Sequence, residues 1–323
     1  MKKYIFAFFA TYLLSFTQAQ HSTTIGLLGC HVQGRPAPSI EFFADVLQPD
    51  YAVWLGDNVY ADTESDPQYI QDQLNVLAQK PGFQKLKANT PFFVTWDDHD
   101  FGLNGSDKNY IFKEESKEIH RKFWELETKV PEERDGVYYD EVIHLENGKS
   151  LQFIMLDGRF NHDSKNTLGA NQWAWLETVL EKKVDLRFIV CGYQVLLPHM
   201  TRWESWAKTG KERKRLFNLI EKTQANNILF LTGDQHTTEV LRSQKKLNYF
   251  SYEIMACGIN QTERPGRAPN RVLGPDLTLN SSPLIEIIWE EKDAQILFKN
   301  YNADTQEVVS SFTFRLSDIG PKH

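Results

Sequence analysis

The chain has 323 residues, 41% of them hydrophobic, and a formal net charge of −7. That composition supplies core enough for one large globular domain or two small ones. So acidic a chain is a poor general binder of nucleic acid or anionic membrane, and no specific nucleic-acid binding is expected.

The first residues read as an export signal: Lys2 and Lys3, an apolar run from Tyr4 to Phe16, then Thr17-Gln18-Ala19 ahead of a cut after Ala19. Residues 1–19 are therefore expected to be a signal peptide, and residues 20–323 the mature domain. Loss of the two lysines takes the formal charge to −9. The apolar run is shorter than the roughly 20 residues that span a bilayer, and no later stretch approaches that length, so no transmembrane anchor is expected after cleavage. The destination is periplasmic or extracellular, where disulfides form, yet three cysteines (Cys30, Cys191, Cys257) leave at least one thiol unpaired.

Along the mature chain, strand and helix patterns alternate. Ile25 to Leu28 reads as a short strand, Ile40, Phe43, Ala44 and Leu47 share a helix face, and Tyr51 to Leu55 is again a strand, which makes a βαβ opening. Helix patterns follow near Pro67–Ala78, Lys108–Leu126, Asn171–Leu180 and Lys211–Thr223. Strand patterns lie at Phe92–Trp96, Val137–Leu145, Leu151–Leu156, Leu186–Tyr193 and Ile228–Leu231, and the runs Leu284–Trp289, Gln295–Phe298 and Val308–Phe314 read as antiparallel strands. The whole is a mixed α/β pattern, sheets flanked by helices. Gln261 to Leu277, with three Pro, two Gly and three Arg, reads as a surface excursion in preference to a lid over a site.

Three of the apolar runs stop abruptly at carboxylates. Tyr51–Leu55 is followed by Gly56-Asp57-Asn58-Val59-Tyr60, Phe92–Trp96 by Asp97-Asp98-His99-Asp100, and Ile228–Leu231 by Thr232-Gly233-Asp234-Gln235-His236. Side chains just past the carboxyl ends of parallel strands converge on one crevice, so the three sets can meet although far apart in sequence. Asp57, Asp98 and Asp234 offer hard oxygen and His236 an imidazole. Tyr60 offers a phenol whose pKa near ~10 makes it a useful ligand only for a strongly acidic metal such as ferric iron. Cys30 ends the first strand, and its thiolate also suits iron. The Asp-rich positions suit a second, harder ion, namely calcium, magnesium or manganese, with zinc a further candidate. Four consecutive ionisable groups after an apolar strand are costly to bury without a cation. Alternation out of the strand assigns Asp98 to the metal and Asp97 to a supporting place behind it.

These pieces, in order with Gly29-Cys30, Ala61-Asp62, Leu156-Asp157-Gly158-Arg159, Leu168-Gly169 and Gln172-Trp173-Ala174-Trp175-Leu176, resemble the PhoD-like alkaline phosphatases, a branch of the calcineurin-like metallophosphoesterases. The resemblance spans most of the mature chain. It implies a metallophosphatase-type fold, a two-sheet β-sandwich flanked by helices, carrying Fe(III) and one or two Ca2+ ions at its strand ends. By that resemblance Cys30, Tyr60, Asp57 and His236 would hold the ferric ion, with Asp57 bridging to a second ion shared by Asp98 and Asp234. His99 would assist the leaving group, and Arg159 would contact phosphate or serve as a structural ion-pair partner. The Asp-x-His pair that opens the wider superfamily is absent, and Gln194 stands where a further metal-binding His is common.

The implied activity is hydrolysis of phosphate mono- or diesters, of a small molecule, lipid or polymer, by attack of a metal-bound hydroxide. The alternative is a secreted metal- or phosphoester-binding protein with a non-catalytic centre. Gln172, Trp173, Trp175 and Leu176 read as helix packing, and His120, His144 and His162 as ordinary histidines.

Overall fold

A computed structural model describes residues 21–199, 204–244 and 247–321. The expected signal peptide, residues 1–19, lies outside the described residues. The βαβ opening is present: β1 (Ser22–Leu28), α1 (Pro38–Phe42) running on as a π-helical turn over Phe43–Leu47, and β2 (Tyr51–Leu55) parallel to β1 with Tyr51 opposite Ile25. Two helices follow, α2 (Gln68–Ala78) and α3 (Pro81–Asn89), and then β3 (Phe92–Thr95), parallel to β2. After a short turn of helix, α4 (Asp98–Phe101), come α5 (Lys113–Phe123) and the hairpin β4 (Tyr139–His144) and β5 (Ser150–Met155). The chain then alternates α6 (Gly169–Leu180), β6 (Leu186–Cys191), α7 (Gly210–Lys222) and β7 (Ile228–Thr232). It ends in strands, β8 (Thr238–Ser243), β9 (Ser251–Ala256), β10 (Arg271–Asp276), β11 (Ser281–Trp289), β12 (Ala294–Asn302) and β13 (Val308–Arg315).

The strands form two mixed sheets. One has the order β13-β12-β11-β1-β2-β3 and the other β10-β8-β9-β7-β6-β5-β4. In the first, β1, β2 and β3 are parallel; in the second, β5, β6, β7 and β9 are parallel. The runs β5, β6, β7 and β9 are buried along their whole length because one face meets the other sheet and the opposite face meets helices.

Phe153 of β5 lies between Phe93 of β3, with ring centroids 3.8 Å apart, and Phe188 of β6, 4.9 Å away, which packs sheet on sheet. Outside the second sheet, Trp173, Leu176, Leu216, Phe217 and Ile220 of α6 and α7 cover Ile154, Ile189 and Phe230. Outside the first, Phe83 of α3 and Trp124 beyond α5 pack on Trp54. The result is helices, sheet, sheet, helices in four layers, the mixed α/β sandwich expected from the sequence. No helix among the described residues is long and apolar enough to cross a membrane.

One helix has no counterpart in the sequence reading and one reading needs correction. Helix α3 begins at Pro81, which occupies the first turn, where its missing N–H costs nothing. The stretch 261–277 is not loop throughout. Arg271–Asp276 is β10, an edge strand paired only with β8, and its Gly274 and Pro275 are tolerated because an edge leaves one side without a ladder.

Candidate metal centre

Every sequence-derived site residue emerges from the carboxyl end of a parallel strand. Cys30 follows β1, Asp57 and Tyr60 follow β2, Asp98 and His99 follow β3, Arg159 follows β5, and Asp234 and His236 follow β7. The sharp exits are made by backbone in the left-handed region at residues other than glycine: φ is 52° at Cys30, 50° at Asp57, 78° at Asp234 and 50° at His236. Such conformations cost on the order of 1 kcal/mol each and cluster where side chains are aimed for function. Glycine is needed where the exits crowd. A Cβ on Gly192, past β6, would lie 2.6 Å from an Asp97 carboxylate oxygen.

Two sets of ligand atoms form, each with its members within 4.8 Å of one another: Cys30, Asp57 and His236, and Asp57, Asp98 and His99. Asp57 belongs to both. Its Oδ2 is 3.8 Å from the Cys30 sulfur and 3.4 Å from the Tyr60 hydroxyl, and that hydroxyl is 2.8 Å from His236 Nε2. Asp57 and Asp98 are buried, and Asp57 Oδ1, Asp98 Oδ1 and Asp234 Oδ2 have no hydrogen-bond partner.

Burial, with the charges of Asp98, Asp97, Asp100 and Asp234 added, pushes the Asp57 carboxyl well above its usual range; burial, with Asp97 and Asp98, does the same to Asp234. Burial, with Asp57 beside it, also lifts the Tyr60 phenol. Carboxylate oxygens without hydrogen-bond partners, crowded in a largely buried cluster, are what a divalent or trivalent cation would satisfy, so this donor set fits metal. The more open side of the cluster is formed by Tyr60, His99 and His236, with Asp62 exposed at its edge.

Arg159 reaches both neighbours, Asp97 at 2.5 Å and Asp98 at 3.6 Å. Asp97 is ion-paired with Arg159, and burial lifts its pKa to about 7 against the pull of that guanidinium. Burial opposes ionisation of Asp98 too, but Arg159 and His99 outweigh it and hold the pKa down. Asp98 Oδ2 accepts the Gly105 N–H at 2.6 Å, and its Oδ1 lies 3.6 Å from Arg159 Nη2.

Arg159 is fully buried and also pairs with Glu204. Its guanidinium thus faces three carboxylates, Asp97, Asp98 and Glu204, as a counter-charge to the acidic cluster. Glu204 carried no signal in sequence, because nothing near it marks a strand end.

Asp100 is a second unassigned hub. One oxygen accepts the N–H groups of Asn58 and Val59, at 2.8 and 3.1 Å, and the other accepts the Asp97 N–H at 3.0 Å, tying the two ligand-bearing loops together. Gln172, read as packing, is buried and hydrogen-bonds both backbone groups of Asp157 at 2.8 Å, which fixes the turn that carries Arg159. Gln194 turns to Glu239, donating at 2.7 Å.

His99 Nδ1 meets Asp62 Oδ1 at 2.7 Å, and its ring lies 4.3 Å from that of Tyr60. Partial burial disfavours the imidazolium, but the hydrogen bond to Asp62 and the charge of Asp98 raise the His99 pKa overall. His236 lies lower, at about 4, because burial dominates. Gln261 reaches both the Tyr60 hydroxyl and His236 Nε2, and Glu263 donates its N–H to the His236 carbonyl, so the start of the 261–277 stretch does border the cluster.

The cysteines require a correction. The sequence leads one to expect Cys30 as a thiolate, but its sulfur is joined to Cys257 just past β9. A disulfide sulfur has no thiolate charge, so Cys30 can serve as an anionic ligand only when that bond is open. The unpaired thiol is Cys191, buried against the Trp206 indole, with its pKa pushed by burial to about 12; it packs and is unreactive.

Two mixed sheets packed face to face, with helices outside and a carboxylate-rich cluster at the strand ends, make a protein of the metallophosphatase fold. The chain belongs to the PhoD-like phosphatase family, whose model matches residues 39–276. Among solved structures it is similar to PhoD, with 15% identity, a TM-score of 0.67, and coverage of 91% of this chain and 72% of that one. A hypothetical protein from Thermus thermophilus (13% identity, TM-score 0.41, 93% of this chain and all of that one) and a novel phosphatase from Mycoplasma pneumoniae (10%, 0.37, 92% and 94%) are more distant. No curated protein gives a match. The PhoD-like family implies a phosphoric ester hydrolase.

Proposed function

We propose that this protein is an exported phosphoesterase that hydrolyses phosphate mono- or diesters with the help of two metal ions that share Asp57. The observation that carries the reading is the double membership of Asp57, whose carboxylate stands within reach of Cys30 and His236 on one side and of Asp98 and His99 on the other.

One site would draw on Cys30 in its reduced form, Asp57, Tyr60 and His236, a donor set suited to Fe(III). The other would draw on Asp57, Asp98 and Asp234, all oxygen, suited to Ca2+ with Mg2+, Mn2+ or Zn2+ as substitutes. When bound, the ions supply polarisation of a water nucleophile and positive charge for the phosphoryl oxygens. The chain's own contribution is placement and proton handling. The oriented imidazole of His99, held at Nδ1 by Asp62, keeps Nε2 for the substrate, where it would protonate the departing alkoxide. Arg159, with Asp97 and Glu204, would keep the acidic cluster from repelling itself without touching substrate. Asp100 would hold the β2 and β3 exits in register.

Export is supported by the signal-like residues 1–19 and by a disulfide, which suits an oxidising compartment. The substrate would be a soluble, lipid or polymer phosphoester reaching the open side at His99.

Purified protein, as isolated and after chelation, should be assayed on a chromogenic phosphate monoester and the matching diester. Turnover lost on chelation and restored by metal supports the reading, and the ratio of the two rates assigns mono- or diesterase. No turnover of either ester by folded, metal-loaded protein moves the function to binding.

A further inference from the structure

One sulfur atom has two claimants. Cys30 belongs to the set of ligand atoms with Asp57 and His236, and it is also bonded to Cys257, whose Cα is 5.3 Å from its own. The pairing is built into the fold, because Cys30 lies just past β1 in the first sheet and Cys257 just past β9 in the second, and the two segments are held together by the N–H groups of Gly258 and Ile259 donating to the Gly29 carbonyl. The two cysteines and Met255 form a small buried cluster of their own. We propose that Cys30 and Cys257 are a thiol–disulfide gate on this metal site, in which Cys257 and the metal ion compete for the Cys30 sulfur. The inference rests on metal binding at the Cys30–Asp57–His236 set, as proposed above, and adds control of that site by redox state.

The chemistry closes in both directions. To open the gate, a thiolate of a dithiol reductant attacks Cys257 Sγ, the slightly less buried of the pair, and Cys30 leaves as thiolate on the side facing Asp57. The reductant's second thiol then displaces the mixed disulfide from Cys257. Two electrons and two protons pass from the dithiol, which ends as a disulfide, to the cysteine pair. In reverse, a disulfide-bearing oxidant takes two electrons and the pair closes. Without a cation, a Cys30 thiolate beside the Asp57 carboxylate is electrostatically disfavoured, which favours the closed bond; a bound cation reverses that preference. Binding of metal and reduction of the bond must therefore promote each other by the same factor.

The test uses the full chain and Co2+ as probe, since thiolate bound to Co2+ gives a charge-transfer band that oxygen and nitrogen ligands do not. Protein oxidised with diamide, and protein reduced with a phosphine that is then removed, are compared for thiols in denaturant, Co2+ affinity and that band. Closed protein should show one thiol, Cys191, no band, and Co2+ affinity at least about ten-fold weaker, on the scale of losing one metal-supporting group. Reduced protein should show three thiols and the band. Cys257→Ser should show the band after either treatment, and Cys30→Ser after neither. The proposal is overturned if oxidised protein still titrates three thiols, if both forms bind Co2+ with equal affinity, or if reduced protein lacks the band. None of these readouts needs a substrate, so a chain that passes them and hydrolyses no ester would refute the phosphoesterase reading alone.

Discussion

Replacing Asp57 by Asn should raise the stability of the metal-free protein while removing its ability to be stabilised by metal. Asp57 is buried, its Oδ1 has no partner, and its ligand atom lies within 4.8 Å of those of Asp98 and His99. Two like charges at that separation repel by about 3 kcal/mol at an effective dielectric constant near 20. The group escapes part of this by retaining its proton, because burial and its acidic neighbours hold its pKa well above the usual range. A carboxyl whose folded pKa is raised contributes stability that is present below its unfolded pKa, near 4, and lost as pH rises through the folded value.

The difference between variant and wild type should therefore vanish below about pH 4 and grow with pH, reaching on the order of 1–3 kcal/mol at pH 8, or a Tm higher by roughly 2–6 °C in a domain of this size. Calorimetric melting of chelator-treated wild type and Asp57→Asn across pH 4 to 9, repeated with metal, measures both arms. A metal-free variant that melts below wild type at pH 8, or one that metal stabilises as much as wild type, would refute the argument that an uncompensated charge cluster awaits a cation.

Other residues give separable effects. His99→Ala should lower kcat by ~10²–10⁴ on alkyl phosphates, and far less on nitrophenyl esters, whose leaving group needs no proton; equal losses on both would remove His99 as the acid. Asp62→Asn deletes the partner that raises the His99 pKa, so the alkaline limb of the kcat profile, where protonated His99 is lost, should move to lower pH; an unmoved limb would assign Asp62 to the turn alone. Arg159→Met leaves buried Asp97 and the Glu204 carboxylate without their counter-charge and should destabilise the fold by ~3–5 kcal/mol in thermal melting. A rise in KM with unchanged Tm would instead make Arg159 a phosphate contact.

Part of the candidate site was legible because strand ends announce themselves: an apolar run cut off by carboxylates singles out Asp57 and Asp98, which fall in the two sets of ligand atoms, and Asp234, which falls in neither. Alternation favours Asp98 over Asp97; Asp98 falls in a set of ligand atoms with Asp57 and His99, and both Asp97 and Asp98 lie against Arg159. Long-range pairing was not legible. Nothing local to Glu204 or Gln261 records that the fold brings them to Arg159 and His236, and an odd cysteine count cannot say which two meet. The edge strand β10 was hidden by its glycine and proline, which local composition reads as loop and only the neighbouring β8 makes into sheet. Helix α3 was hidden by the same residues used in another way, proline opening a helix whose Phe83 and Leu86 pack into the core.

The central claim, two cations sharing Asp57, is tested most directly by titrating metal into chelator-stripped, reduced protein while following metal per chain and turnover of a phosphate ester together. The account predicts that turnover rises only as a second ion binds and that Asp57→Asn abolishes both the second equivalent and activity. Full turnover with a single ion, or with none, would contradict it.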